Sequence, residues 1–168
     1  MKIKIVNCPD RDFKPYVEDA VTFFAEQLIP DGRVRSRCTT KVRFNTKLKD
    51  CGYAMVEDVN SRNQPRKFIL EVNPHQGVRG IFETIAHEMV HIKQYITGET
   101  NDTLSKWRGR KVDSDAIDYW EHPWEIDAFG REAGLTHKFV VQNQLWDVFN
   151  DYRDPSLPFE PKPIDWKK

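Results

Sequence analysis

Two hydrophobic periods alternate along this chain. Residues 2–7 alternate charged and apolar side chains, the pattern of a half-buried strand. Residues 15–28 switch to helical spacing, with Val17, Ala20, Val21, Phe24 and Leu28 on one face, and Pro30-Asp31-Gly32 stops the helix. Alternation returns over 33–44, where Val34, Cys38, Val42 and Phe44 share one side and Arg33, Arg35, Arg37, Lys41 and Arg43 the other. That pattern predicts one strand, or a bent pair, with a basic outer face. Further strands are predicted over 53–57 and 68–73, joined by a polar turn over 60–65.

The strongest helical signal lies between Ile81 and Gly98. Ile81, Phe82, Ile85, Met89, Ile92 and Ile96 fall within about 100° on a helical wheel and form a core face. Thr84, His87, His91, Gln94 and Gly98 fall on the opposite face, and Gly80 and Gly98 bracket the segment as breakers. The two histidines therefore look towards a cleft or solvent. They belong to His87-Glu88-Met89-Val90-His91, an HExxH run. Residues four apart on a helix lie about 40° apart around its axis, so both rings can turn a nitrogen to one ion. Glu88 stands roughly 100° from His87, placed to act as a base on water beside that ion without ligating it.

A catalytic zinc usually takes three protein ligands. The extended HExxHxxGxxH pattern is excluded, because Gln94 and Thr97 stand where its glycine and third histidine would be. Glu125, in Trp120-Glu121-His122-Pro123-Trp124-Glu125-Ile126-Asp127-Ala128, is the leading candidate. Pro123 suits the first turn of a helix, and Ala128, one turn beyond Glu125, lets that helix approach the histidine helix closely. Cys51 and His122 are rival third ligands; an upstream cysteine combined with HExxH is the arrangement of peptide deformylases. His75 and His137 lack ligand-like spacing.

His87–Tyr95 (HEMVHIKQY) and the downstream YWEHPWEIDAFGREAGL together resemble the small, often phage-encoded zincin-like metallopeptidases of the gluzincin type, loosely related to SprT-like proteins. The resemblance spans residues 68–135. It implies an α+β zincin-like domain with a small mixed or antiparallel sheet packed on the HExxH helix and on a second, glutamate-bearing helix. It further implies one zinc ion per chain on His87, His91 and Glu125, Glu88 as general base, and a peptide or protein substrate. Where thermolysin-type members carry a carboxylate that braces a zinc histidine, this chain has Phe129; Asp127 and Glu132 are the alternative braces. Manganese, iron or nickel would accept the same donors as zinc. Tyr95, Tyr119, His122 and Arg131 are candidate donors to a developing oxyanion.

Other segments carry secondary expectations. Residues 68–73 are a candidate substrate-pairing edge, and the charged loop over 99–118 is a candidate lid. The basic face over 33–44, with Lys47, Lys49, Lys106, Arg108, Arg110 and Lys111, raises nucleic acid as an alternative partner, as expected of a SprT-like protease. Against it, 26 basic residues are balanced by 26 acidic ones, so no bulk charge draws the chain to polyanions.

The length suits one domain over 1–153, followed by an extended tail over 154–168 with Pro155, Pro158, Pro161 and Pro163. Trp124, Phe129, Phe139, Val140, Leu145, Trp146, Val148 and Phe149 are expected to supply C-terminal core, with a helix break near Gly134. Three cysteines without CxxC spacing argue against a disulfide framework, and no apolar run would span a bilayer. A cytoplasmic setting is the expectation.

Overall fold

The computed structural model describes residues 1–60 and 64–149 and has α+β architecture. In chain order the elements are β1 (Lys2–Val6), α1 (Lys14–Leu28), α2 (Gly32–Ser36), β2 (Thr39–Phe44), β3 (Gly52–Val59), β4 (Pro65–Val72), α3 (Val78–Thr97), a hairpin of β5 (Lys106–Trp107) and β6 (Arg110–Lys111), α4 (Pro123–Gln142) and α5 (Trp146–Phe149). Short 3₁₀ turns at Ser114–Ala116 and Tyr119–Glu121 precede α4. No helix among the described residues is long and apolar enough to cross a membrane. The Pro-rich segment 154–168 and the side chain of Val148 lie outside the described residues.

The main sheet is mixed, in the order β1-β2-β4-β3. β1, β2 and β4 run parallel, and β3 returns antiparallel on β4, pairing Ala54 with Leu70 and Tyr53 with Glu71. β4 is therefore an interior strand. The exposed edge expected at 68–73 is not one; among the described residues the edge strand on that side of the sheet is β3. Strand periodicity shows which residues face the core, but strand order depends on contacts between distant segments.

Helices cover one face of the sheet. On that face Val42, Phe44, Phe68, Leu70 and Val72 are buried against α1 and α3. A cluster of rings ties the helices together: Phe82 of α3 lies 5.4 Å from Phe13, 5.6 Å from Phe139 of α4 and 5.1 Å from Phe149 of α5. On the opposite face, Lys41 pairs with Glu57 at 3.2 Å, and Arg43 with Glu71 at 2.8 Å.

Several boundaries differ from the sequence pattern. The predicted strand over 33–44 is a helical turn followed by a strand. Asp31 caps α2 by accepting from the backbone N–H groups of Arg33 and Val34, and Val34 and Cys38 satisfy both periods because they are four apart. α3 begins at Val78, so Gly80 lies within its first turn, while Gly98 closes it with φ of 70°. α4 continues through Gly134 to Gln142, because nothing there requires a positive φ. Trp124, Phe139 and Val140 are core residues as expected, but Phe129 and Trp146 are exposed, and Leu145 and Phe149 only partly buried. The loop over 99–118 is tied down at β5–β6: Arg108 N–H donates to Glu99 O at 2.7 Å, and Thr100 bridges to Trp107.

Candidate metal centre

Both wide faces of α3 are buried, for different reasons. Ile81, Phe82, Ile85, Met89 and Ile92 pack into the core, whereas Thr84, His87, His91 and Gln94 lie beneath α4 and a cleft of about 900 Å³. α4 begins at Pro123, so Glu125 falls in its first turn, and the fully buried Ala128 leaves room for α4 to pack on α3. Glu125 is thereby carried to the two histidines. His87 Nε2 lies 3.1 Å from His91 Nε2 and 3.1 Å from Glu125 Oε2, and His91 Nε2 lies 3.5 Å from the same oxygen. Among the described residues this is the one group of His, Cys, Asp or Glu whose ligand atoms converge in threes.

The opposite nitrogens fix the protonation of the rings. Gln94 gives both its amide hydrogens away, to Trp124 O at 3.0 Å and Asp127 Oδ2 at 3.2 Å, which leaves Oε1 as an acceptor 2.9 Å from His91 Nδ1. Glu132 Oε2 accepts in the same way from His87 Nδ1 at 2.7 Å. In the neutral rings, with the proton of each on Nδ1, both Nε2 atoms present lone pairs to Glu125. Three acceptors this close repel one another unless a metal ion or a proton lies among them.

The donor set fits a metal ion. Ligand atoms arranged tetrahedrally at about 2.0–2.2 Å from zinc stand about 3.3–3.6 Å apart, close to the spacings here. The same field attracts protons. Burial opposes charge on His87, but Glu125 and Glu132 on its two nitrogens outweigh this and raise its pKa to about 9. Burial likewise opposes charge on His91, yet Glu125 and Glu88 shift its pKa upward. For Glu125, burial is overcome by the two histidines, which hold its carboxyl below the ordinary range.

Glu88 sits beside this cluster and outside it. Its side chain is buried, Oε2 has no hydrogen-bond partner among the described residues, and the Ala54 backbone of β3 lies close enough to favour the ionised carboxylate. Burial raises its pKa to about 7 against the opposing influence of the histidines. Gly52 allows β3 to come this close: a Cβ there would stand 2.5 Å from Thr84 Cγ2 and 2.7 Å from Glu71 O. Tyr119 completes the surround, its hydroxyl donating to Glu125 Oε2 at 3.0 Å.

The rival ligands lie elsewhere. Cys51 is exposed at the cleft wall and does not join the converging atoms. His122 precedes the first turn of α4 and directs Nε2 to Ser114 O at 3.1 Å. His75 and His137 are exposed. Of the two expected braces, Glu132 holds His87 directly, whereas Asp127 reaches His91 only through Gln94. Gln94 was visible on the histidine face of the wheel, three residues beyond His91, but an amide there carries no signal of its own. Phe129, in the position of the missing carboxylate, sets its ring 4.5 Å from that of His87. The chain matches no protein-family model, no curated protein and no solved structure.

Proposed function

We propose that this protein is a zincin-like, zinc-dependent metallopeptidase in which His87, His91 and Glu125 hold the ion and Glu88 is the general base. The observation that carries the proposal is the meeting of two Nε2 nitrogens and one carboxylate beside a buried, unpartnered glutamate oxygen. Imidazole and carboxylate donors in threes suit zinc and leave one coordination position for chemistry. When bound, such an ion lowers the pKa of water towards neutrality and polarises a carbonyl.

The chain's own residues supply the rest. Glu88 accepts a proton from the attacking water on Oε2 and returns it to the leaving amine; a pKa of about 7 suits both transfers. Of the four candidate oxyanion donors, Tyr95 and Tyr119 line the cleft, and the Tyr119 hydroxyl stands at the ligand carboxylate. His122 is committed to Ser114 O and Arg131 to Asp127. An extended peptide is held by backbone pairing along the free edge of β3, which passes directly over Glu88.

Glu88→Gln tests the reading. Zinc-loaded wild type should cleave peptides from an unfolded protein such as casein, and the variant should retain zinc while losing at least about 100-fold in rate. Equal cleavage by both proteins would remove Glu88 from the mechanism.

A further inference from the structure

The cleft carries an aromatic wall whose exposure the fold does not account for. Trp120 is 67% exposed, Tyr119 49% and Phe129 38%. The rings form a continuous run: Tyr119 to Trp120 at 5.3 Å, Trp120 to Phe129 at 5.2 Å, and Phe129 to His87 at 4.5 Å. Both ends touch the metal-ligand set, since Tyr119 Oη bonds Glu125 and Phe129 lies on His87. All three rings line the same cleft as Gly52, Tyr53 and Ala54 of β3.

Local structure holds this wall open. Asp118 Oδ1 accepts from Trp120 N–H at 3.0 Å, fixing the 3₁₀ turn that presents Tyr119 and Trp120, and Phe129 follows Glu125 by one turn of α4. Trp124, in the same segment, is 1% exposed, so the fold can bury an indole here and leaves Trp120 out. Clustered exposed aromatics next to a reactive centre mark a binding surface.

We propose that Tyr119, Trp120 and Phe129 form a shelf for a large apolar or aromatic side chain of an extended peptide, at a residue flanking the bond that is cut. The inference rests on the peptidase reading and adds its substrate class. A strand paired on β3 turns alternate side chains to one face, so a side chain beside the scissile bond meets the wall opposite. Burying such a side chain on three rings favours it over alanine by on the order of 10- to 100-fold in kcat/KM.

The test is the cleavage profile of a mixed-sequence peptide library under zinc-loaded wild type, Trp120→Ala and Glu88→Gln. Trp120 is exposed, so its removal spares the fold, and metal content checks the site. The expected result is Glu88-dependent cleavage enriched for Phe, Tyr, Trp, Leu or Met at one position. Trp120→Ala should raise KM for such peptides about 10-fold or more, leave alanine-bearing peptides within about twofold, and be rescued by Trp120→Phe. Glu88-dependent cleavage without that enrichment, or a profile unchanged in Trp120→Ala, overturns the shelf and leaves the peptidase reading standing. No cleavage by zinc-loaded wild type overturns both.

Discussion

Gln94 Oε1 lies 2.9 Å from Nδ1 of His91, three residues earlier on the same helix, and this contact determines which imidazole nitrogen is free for a metal. The amide cannot turn over without losing its bonds to Trp124 O and Asp127. A salt-linked group stands behind it: Asp127 bonds Arg131 at 2.9 Å, and Lys93 bonds Glu99 at 2.5 Å. His91 is thus oriented by a chain of contacts that starts on α4.

Gln94→Leu keeps the side-chain volume and removes the acceptor. Zinc affinity should fall by about 10- to 100-fold, as measured by competition with a chromogenic chelator. The fold should survive, with a stability loss of about 1–3 kcal/mol from the lost bonds to Trp124 O and Asp127 and the unpaired His91 Nδ1. Unchanged affinity would mean that Gln94 does not set the ring.

Gly52 is required by the close approach of β3 to α3. In Gly52→Ala the new methyl meets Thr84 Cγ2 and the Glu71 carbonyl, and backbone cannot give way as a flexible side chain does. A cost of about 1–3 kcal/mol is expected in a denaturant titration. Adding Thr84→Ser removes one contact and should recover part of the loss. A double variant no more stable than Gly52→Ala would place the strain wholly at the carbonyl.

How far the sequence reaches is set by the range of the physics. His87, Glu88 and His91 are legible because a helix fixes neighbours at i and i+4, and Glu125 because Pro123 and Ala128 mark a helix start and a close contact. Glu132 follows from the need of a ligand histidine for an acceptor. Gln94 does not, since its role depends on α4 lying alongside. The edge position of β3 was hidden for the same reason, and α2 because Val34 and Cys38 suit a helix as well as a strand. Phe129 looks like core by composition but faces the cleft.

Glu71 should govern part of the acid limb of stability. Burial alone would raise its pKa, but Asn45 and Arg43 bond the carboxylate and, with Tyr53 beside it, hold it below its ordinary value of 4.5. A group shifted downward stabilises the fold fully above its unfolded pKa and loses that contribution as pH falls through the folded one. Wild type should therefore lose stability below about pH 4.5, and Glu71→Gln should show a shallower fall over that window in urea titrations at stepped pH. Parallel curves would show that Glu71 titrates alike in both states.

Zinc content by elemental analysis decides the central claim most directly, with wild type, His87→Ala and Glu125→Ala each purified without added metal and then supplied with zinc. About one ion per wild-type chain is expected, lost from both variants while their far-ultraviolet circular dichroism stays that of the wild type. Zinc retained in Glu125→Ala, or absent from folded wild type after zinc is supplied, would contradict a centre built from His87, His91 and Glu125.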